Sequence, residues 1–430
     1  MDKPVKVGML GMGVVGTGVA KVLMDNAQSI RRKAGVPIEI KRILVRDVMK
    51  HREVSTPAIF TDKADEVLTD PEIDIVVELI GGENPAKEYI LKALQAGKHV
   101  VTANKDVIAK CGKELFDAAG RQGIDLLFEA SVGGGIPIIR PLKQCLAANR
   151  ITEIMGIVNG TTNYMLSKMT SDGLDFATVL AEAQAQGYAE ADPTADIEGW
   201  DAARKIAILA SIAFGARITV DDVATEGITG ITAEDIAYAR ELGYVVKLLA
   251  IAKNGSDGID VRVHPAFLPL RHPLASVNGV FNAIYVRGDA VGEVMFYGRG
   301  AGQMPTASAV VADIIDVARD IRHGVSGRIL CTCFEEARLC AAAKVESPYY
   351  LRLLVDDKPG VLAAIAGVFG SQEVSLNSVI QKRKVNNRAE IVLVTYRVSD
   401  ANLRLAVKIL EGMSVAQVAS VIRVEAEEIC

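Results

Sequence analysis

The stretch VKVGMLGMGVVG, from Val5 to Gly16, decides the fold of the first part of this chain. Its opening residues form a short apolar run that predicts a β-strand, and the glycines lead into a helical pattern from about Val14 to Asn26. Gly11, Gly13 and Gly16 have the spacing GxGxxG, which indicates dinucleotide binding when a strand precedes it and a helix follows it. A glycine-rich turn without function is the alternative.

Each glycine of this turn has its own physical role in a dinucleotide-binding unit. The first allows a tight turn, the second lets the backbone approach a pyrophosphate, and the third lets the helix pack closely on the sheet. The anion then lies at the positive N-terminus of the helix. We therefore expect cofactor contacts from Leu10, Gly11, Gly13, Val14, Val15 and Gly16.

The end of the second predicted strand, Ile38 to Val45, bears on the type of cofactor. In an NAD-binding unit an acidic residue here accepts hydrogen bonds from the ribose 2′-hydroxyl, whereas an arginine accommodates the 2′-phosphate of NADP. Arg46 comes first here and Asp47 follows it. Arg46 favours NADP. Asp47 keeps NAD as an alternative, and a solvated Arg46 without a role is another.

Apolar runs and helix-like segments alternate along the rest of this part. The runs cover residues 73–79, 99–102 and 125–129, and helical patterns cover 85–96 and 112–122. Such alternation predicts a parallel sheet with helices on both faces. The fold class is therefore α/β, with a Rossmann-type domain over residues 1–132 that also includes a helix at about 302–342.

Two further domains are predicted after this one. The triple glycine Gly133-Gly134-Gly135 marks a hinge or a close backbone approach. Residues 133–301 mix strand-like runs with long helical patterns and predict an α+β domain. Residues 348–430 have the order βαββαβ, which is the ferredoxin-like arrangement.

Composition excludes several classes of function. The 430 residues exceed the size of a single core. The net charge is −5, aromatic residues make up 5%, and there is no basic stripe, so the chain is poorly suited to nucleic acid. We see no signal peptide and no run of about 18 apolar residues, and we expect a cytoplasmic protein without membrane contact.

The six cysteines include no CxxC pair and no histidine at metal-ligand spacing. This pattern predicts reduced structural thiols, with no zinc or redox role.

Two segments carry charged groups suited to chemistry on a small substrate. Thr102-Ala103-Asn104-Lys105 follows a predicted parallel strand, at the sheet edge where α/β folds bind ligands. The segment GYAEADPTADIEGWDAARK, from Gly187 to Lys205, places acidic residues ahead of an apolar helix. Asp201 and Lys205 are four residues apart and share one helix face. A surface lysine and an exposed ion pair are the alternatives.

Hydride transfer from an alcohol requires a proton acceptor near the hydroxyl and anchors for the charged ends of the substrate. A lysine can accept the proton when its ammonium form is destabilised. Asp201 beside Lys205 instead favours the ammonium form of Lys205. The charge of the second lysine, Lys105, would also affect this protonation equilibrium.

Five motifs in this order closely resemble the homoserine dehydrogenase family over about residues 3 to 325. They are the glycine turn, TANK, NGTTNYML (159–166), the acidic segment ending in DAARK, and GRGAGQMPTASAVVADI (298–314). The resemblance implies interconversion of L-homoserine and L-aspartate 4-semialdehyde with NADP or NAD, in threonine, methionine and isoleucine biosynthesis. It also makes the α+β domain a catalytic and dimerisation domain.

The resemblance assigns roles to matching residues. Lys205 corresponds to the general acid/base and Lys105 to a second essential lysine at the cofactor. Glu190 and Asp201 correspond to residues that hold the substrate amino group, with Asp196 as a supporting carboxylate. Gly187 and Gly302 correspond to backbone contacts with cofactor or substrate.

The hinge resembles a monovalent-cation site of the family. Its ligands would be the Glu129 carboxylate region and the carbonyls of Val132, Gly134 and Ile136. Oxygen ligands that are mainly uncharged suit sodium or potassium.

The βαββαβ unit resembles an ACT domain, with DKPGVL at the first strand-to-helix turn. Such domains commonly bind an amino acid between paired copies, and we expect L-threonine near Gly360, Val361 and Asn377 as an allosteric inhibitor. A domain that only assembles subunits is the alternative, and a homodimer or homotetramer is expected.

Two other functions compete with this one. An aspartate semialdehyde dehydrogenase needs an activated cysteine, and Cys111 and Cys145 have no partner histidine in the sequence. A non-catalytic amino-acid sensor would not need Lys105, Glu190, Asp201 and Lys205 together.

Overall fold

The computed structural model describes residues 3–52, 54–329, 331–333, 335–385 and 388–425. The chain forms two compact units, each built from three segments. Unit 1 comprises Met1–Ile154, Arg204–Asp222 and Asn282–Glu336, and unit 2 comprises Met155–Ala203, Val223–Phe281 and Ala337–Cys430.

The strands are β1 Val5–Leu10, β2 Ile38–Leu44, β3 Ile59–Thr61, β4 Ile75–Glu78, β5 His99–Thr102, β6 Leu126–Leu127, β7 Ile151–Ile157, β8 Ala224–Thr225, β9 Tyr244–Gly255, β10 Gly258–Pro269, β11 Phe281–Gly288, β12 Gly292–Arg299, β13 Glu346–Ser347, β14 Tyr349–Asp356, β15 Leu376–Val385, β16 Arg388–Thr395, β17 Val398–Ser399 and β18 Ala416–Val424. The helices are α1 Val14–Asp25, α2 Ala27–Ala34, α3 Asp65–Leu68, α4 Ala86–Gln95, α5 Lys105–Gln122, α6 Gly160–Asp172, α7 Phe176–Ala185, α8 Thr194–Ile197, α9 Trp200–Ala213, α10 Ala233–Glu241, α11 Gln303–His323, α12 Val361–Ser371 and α13 Asp400–Glu411.

Unit 1 contains the predicted parallel sheet, which confirms the α/β fold class. Its strand order is β3-β2-β1-β4-β5-β6, and every neighbouring pair is parallel. The central strands β1 and β4 are buried on both faces, because helices cover the sheet on both sides. The chain leaves β1 for β2 on one side and later returns to β4 on the other. The glycine turn at the end of β1 therefore lies where the strand order reverses, and α/β folds bind ligands there.

The helix predicted at about 302–342 belongs to unit 1, but it is shorter. As α11 it ends at His323, because Gly324 adopts a left-handed conformation with φ of +65° and closes the last turn. Its apolar face, with Val310, Ile314 and Val317, is buried in the same core as β1.

Unit 2 contains a long antiparallel hairpin, β9 and β10, which the sequence patterns did not predict. The predicted βαββαβ unit is present as β14, α12, β15, β16, α13 and β18, with strand order β18-β14-β16-β15. Strand β10 pairs in parallel with β18 through Phe267 and Val424. The ferredoxin-like sheet therefore continues into the hairpin.

Among the described residues, no helix is long and apolar enough to cross a membrane.

Candidate active site

The glycine turn has the geometry that a dinucleotide requires. Gly11 has φ of +106°, and a Cβ at Gly16 would lie 2.4 Å from the carbonyl oxygen of Gly11. A Cβ at Gly13 would meet nothing within 4 Å, and no side chain caps the N-terminus of α1. The turn therefore combines one left-handed residue, one close packing contact and one open face beside a helix N-terminus, where backbone N–H groups attract phosphate.

Arg46 is exposed directly after β2, as an arginine for a 2′-phosphate should be. The neighbouring Asp47 uses one carboxylate oxygen to accept a hydrogen bond from the Met49 N–H at 2.9 Å. Arg52 donates to the Asp47 carbonyl at 2.7 Å and lies 4.6 Å from the centre of the Phe60 ring. The loop after β2 thus carries a second guanidinium that the sequence analysis missed, although Arg52 lies only six positions after Arg46.

Glu78, at the end of β4, organises the sheet edge next to Lys105. The side chain is fully buried, and Oε1 accepts hydrogen bonds from the N–H groups of Ile80 at 2.8 Å and Gly81 at 3.2 Å. Oε2 accepts from Thr102 Oγ1 at 2.6 Å. One carboxylate thereby links the loops after β4 and β5, a role with no signal in the sequence beyond an acid that ends an apolar strand.

Lys105 is the first residue of α5, which begins seven residues earlier than the predicted 112. Asn104 caps this helix by accepting a hydrogen bond from the Val107 N–H at 3.2 Å. Its side-chain amide donates to the Gly82 carbonyl at 2.7 Å. The position of Lys105 is therefore set by the cap and by the loop that Glu78 holds.

An ion pair joins the two helices of unit 1 that carry the predicted catalytic lysines. Asp106, next to Lys105, forms an ion pair with Arg204, next to Lys205, at 3.1 Å. Both lysines are half-buried. The start of α5 therefore approaches α9 at the residues next to these lysines.

Gly302 lies close to the glycine-turn helix. It precedes α11 with φ of +120°, and a Cβ at Gly18 of α1 would come within 2.7 Å of the carbonyl oxygen of Gln303. Gly187 belongs to unit 2, where it is exposed with φ of +73°.

Asn159 joins two of the predicted substrate carboxylates in unit 2. Its Nδ2 donates to Asp196 Oδ1 at 2.7 Å and to Asp201 Oδ2 at 2.9 Å. Its Oδ1 caps α6 by accepting from the N–H and the hydroxyl of Thr162, each at 2.9 Å. Asp201 and Asn159 are buried, and Asp196 is half-buried. Asn159 belongs to the motif NGTTNYML, from which no role for this residue was predicted.

The third predicted carboxylate, Glu190, lies on the exposed loop before α8. The loop is held by Gln184, whose Nε2 donates to the Glu190 carbonyl at 3.1 Å. Thr161 Oγ1 donates to the Tyr188 carbonyl at 2.7 Å. These contacts leave the Glu190 side chain in solvent.

The Glu129 carboxylate has a structural task that the predicted cation site did not include. It is buried and accepts hydrogen bonds from three consecutive N–H groups, those of Ile138, Ile139 and Arg140, at 2.6 to 2.8 Å. Its own N–H donates to Asp313, and burial together with the nearby Glu129 charge raises the pKa of Asp313 to about 7. The Glu129 carboxylate is thus committed to the backbone, and a cation here would need the Glu129 carbonyl.

The remaining predicted cation ligands are main-chain carbonyls at a tight turn. Gly133 and Gly134 have φ of +76° and +54°, and Ile136 donates its N–H to the Gly133 carbonyl at 2.8 Å. Within the ranges that the structure describes, the carbonyls of Val132, Gly134 and Ile136 accept no main-chain hydrogen bond. The same ranges contain no group of three His, Cys, Asp or Glu side chains suited to a metal ion. These carbonyls fit an alkali cation better than a transition metal.

The predicted effector residues lie in the ferredoxin-like part of unit 2. Gly360 has φ of +89° and precedes α12, whose N-terminus has no side-chain cap, and Val361 is buried at its first position. Asn377 is exposed on β15, at a register shift between Leu376 and Ser378. The N-terminus of α12 is uncapped and the Asn377 side chain is exposed, so both are accessible to a ligand.

Comparison with known proteins matches all three parts of the chain. A family model described as homoserine dehydrogenase matches residues 137–315, one described as homoserine dehydrogenase, NAD binding domain, matches 11–129, and an ACT domain matches 349–413. A homoserine dehydrogenase of Synechocystis sp. is 48% identical over 98% of this chain and 99% of its own length.

Solved structures agree with this assignment. A homoserine dehydrogenase from Thiobacillus denitrificans has a TM-score of 0.94 and 45% identity, with 98% of both chains covered. A hyperthermophilic archaeal homoserine dehydrogenase in complex with NADPH has a TM-score of 0.62 and 28% identity, over 73% of this chain and 98% of that one.

The predicted parallel dinucleotide-binding sheet and ACT domain are confirmed, and the chain belongs to the homoserine dehydrogenase family of oxidoreductases that act on a CH–OH group.

Proposed function

We propose that the chain interconverts L-homoserine and L-aspartate 4-semialdehyde, with Lys205 as general acid/base and Lys105 as the second essential lysine. The observation that supports this proposal is the Asp106–Arg204 ion pair, because it holds the start of α5, which carries Lys105, against α9, which carries Lys205.

Each charged residue has a distinct task in this scheme. Lys205 accepts the hydroxyl proton of homoserine, or returns it when the aldehyde is reduced. Asp201 and Glu190 hold the substrate ammonium group, and Asp196 supports Asp201 through Asn159. The nicotinamide, when bound, accepts or supplies the hydride. Gly187 and Gly302 contribute backbone contacts to cofactor or substrate.

The test is an absorbance assay of NADPH oxidation with aspartate semialdehyde. Lys205→Ala should lower kcat by about 10²–10⁴, which is the range of general acid–base catalysis, while NADPH binding measured by fluorescence stays within about twofold. Lys168→Ala, at a partly exposed lysine paired with Asp172, is the control and should keep wild-type turnover. Full activity of Lys205→Ala would refute the assignment.

We further propose that Arg46 selects NADP. Support comes from its exposure after β2, from Arg52 in the same loop, and from the archaeal relative solved with NADPH. Loss of one charge-assisted phosphate contact, about 1.5–3 kcal/mol, should lower the NADPH-to-NADH ratio of kcat/KM about 10- to 150-fold in Arg46→Ala. Arg32→Ala, on the exposed surface of α2, is the control. An unchanged ratio would favour the NAD alternative through Asp47.

A sodium or potassium ion at the hinge is the next part of the proposal. The carbonyls of Glu129, Val132, Gly134 and Ile136 would hold it, and it would stiffen the turn. Binding to the folded state raises the melting temperature with ion concentration. We expect a higher Tm in sodium or potassium chloride than in choline chloride at equal ionic strength, and equal Tm values in all three salts would refute the site.

We propose that the ACT domain binds L-threonine at Gly360, Val361 and Asn377 and thereby inhibits the catalytic activity of this chain. The activity would belong to the biosynthesis of threonine, methionine and isoleucine. The uncapped α12 suits the ligand carboxylate and the Asn377 amide suits its polar groups. Threonine should inhibit the full chain, and Asn377→Ala should weaken inhibition about tenfold without changing basal turnover. Insensitivity of the full chain would leave assembly as the role of the domain.

The expected homodimer or homotetramer, with a catalytic and dimerisation domain at 133–301, is also proposed. Light scattering of the full chain, with and without threonine, decides it. The cytoplasmic location remains a prediction.

A further inference from the structure

Cys331 and Cys333 lie together in unit 1 at a cavity beside the two helices that carry the proposed catalytic lysines. The cavity is lined by α5 and α9, by Lys143 and Arg217, and by the Cys331-Thr332-Cys333 segment, and its volume is about 30 Å³. Cys333 Sγ lies 3.7 Å from the Ser211 carbonyl oxygen of α9. Because these cysteines do not form a CxxC pair, their spacing predicted structural thiols without a redox role.

The surroundings of Cys331 favour its thiolate form. Its sulfur is hydrogen-bonded by the side chain and the backbone of Cys333, and the charges of Lys143 and Arg217 act on it. The hydrogen bond from Cys333 is the largest cause that lowers the pKa of Cys331, to about 6, and it raises the pKa of Cys333. This hydrogen bond therefore favours the thiolate at Cys331 and the protonated thiol at Cys333.

Lys143 is positioned to serve this thiolate. Its ammonium lies 5.3 Å and 5.1 Å from the ring centres of Phe116 and Phe128, so two aromatic faces hold the charge by cation–π contact. Burial lowers the pKa of Lys143, and the Cys331 charge opposes that effect most strongly. A desolvated cation next to a thiolate is the environment of a reactive cysteine.

We propose that Cys331 and Cys333 are a peroxide-sensitive dithiol, with Cys331 as the attacking thiolate and Cys333 as the resolving thiol. The Cys331 thiolate attacks one oxygen of hydrogen peroxide, the O–O bond breaks, and a proton from solvent completes Cys331–SOH and water. The Cys333 thiol then attacks that sulfur, an S–S bond forms, and hydroxide leaves with the Cys333 proton as a second water. Two thiols are oxidised by two electrons, and one peroxide is reduced to two waters.

The size of the cavity fits this choice of oxidant. About 30 Å³ accommodates one or two molecules the size of water, and hydrogen peroxide is in that range. A disulfide between these residues removes the Cys333 S–H, and because Cys333 Sγ lies 3.7 Å from the Ser211 carbonyl oxygen, oxidation changes the surroundings of α9.

Trypsin cleavage after Arg328 and Arg338 isolates both thiols in one peptide, residues 329–338, with no other cysteine. We expect one equivalent of hydrogen peroxide, applied to the full chain, to remove two hydrogens from this peptide before other cysteines react, and dithiothreitol to restore them. Cys333→Ser should instead yield a dimedone adduct at Cys331. An unchanged peptide, or a sulfinic acid in place of the disulfide, would overturn the proposal.

Alkylation kinetics test the thiolate separately. Iodoacetamide should label Cys331 with a pH midpoint near 6, compared with about 8.5 for an ordinary thiol, and about five- to tenfold faster than the exposed Cys145 at pH 6.5. Lys143→Met should raise that midpoint, whereas Cys145→Ser should leave it unchanged. If Lys143→Met does not fold, the pH profile of the wild-type chain decides, and a midpoint above 8 overturns the proposal.

Discussion

Replacing Asn159 by alanine should separate the folding role of this residue from its role at the substrate carboxylates. The change removes the α6 cap, at a cost of about 1 kcal/mol. It also removes a buried hydrogen bond to Asp201 at 2.9 Å, and a bond to a charged group contributes about 1.5–3 kcal/mol. Water can replace the donor at the half-buried Asp196 at little cost. The free energy of unfolding should therefore fall by about 2.5–4 kcal/mol.

The effect on turnover should be larger than this loss of stability implies. Without the Asn159 amide, Asp201 loses one of the contacts that position its carboxylate, and misplacement by about 1 Å costs about 10²-fold. Steady-state assays with saturating cofactor should show a fall in kcat/KM for homoserine of about that size. Urea unfolding of the same preparation measures stability.

Asp175→Ala is the matched control, because Asp175 caps α7 at an exposed position by accepting from the Thr178 N–H at 2.9 Å. It should lose about 1 kcal/mol and keep its activity. Asn159→Asp keeps a cap but directs a third carboxylate at Asp196 and Asp201, so its kcat/KM should also fall. If Asn159→Ala lost stability while kcat/KM stayed within threefold, Asn159 would only cap α6 and the argument would be refuted.

Three further predictions concern a buried lysine, the glycine turn after β1 and the loop held by Glu78. Burial lowers the pKa of Lys247 to about 8, so the unfolded chain binds more protons than the folded chain between pH 8 and about 10.5. The free energy of unfolding should therefore rise over that pH window by up to about 3 kcal/mol, and urea midpoints that do not rise with pH would contradict this prediction. Gly16→Ala should lower the free energy of unfolding by about 1–3 kcal/mol, because the added Cβ meets the Gly11 carbonyl oxygen. Gly120→Ala, in open space on α5, should raise it by up to about 1 kcal/mol, and thermal melts that rank the two variants in the opposite order would contradict this explanation. Glu78→Gln should lower the free energy of unfolding by about 1–3 kcal/mol and lower kcat, because the Thr102 hydroxyl loses its carboxylate acceptor near Lys105. Unchanged stability and kcat would show that the loop does not need the Glu78 carboxylate.

The strands and helices of the dinucleotide-binding sheet could be read from the sequence because each depends on local periodicity. Apolar runs bounded by glycines located β1 and β5 at their observed limits, and the ferredoxin-like order was readable for the same reason. The hairpin β9–β10 was missed because its strands are buried over most of their length and show no alternation of apolar and polar residues.

Residue types also indicated the chemistry. The TANK and DAARK segments are local patterns, and they selected Lys105 and Lys205, whose sequence neighbours Asp106 and Arg204 form an ion pair. Which atoms those residues contact is a different question. Distances between segments far apart in the chain depend on how the core packs, and no spacing rule in one sequence contains them.

The sequence by itself determined the family, the nucleotide turn and the identity of the charged groups, because these follow from short motifs and elementary geometry. The tertiary structure alone decided that the Glu129 carboxylate accepts hydrogen bonds from three backbone N–H groups and that Asn159 joins Asp196 to Asp201. It also decided that Cys331 and Cys333 face Lys143. In each case a buried polar group needs a partner, and only the packed fold determines which partner is within reach.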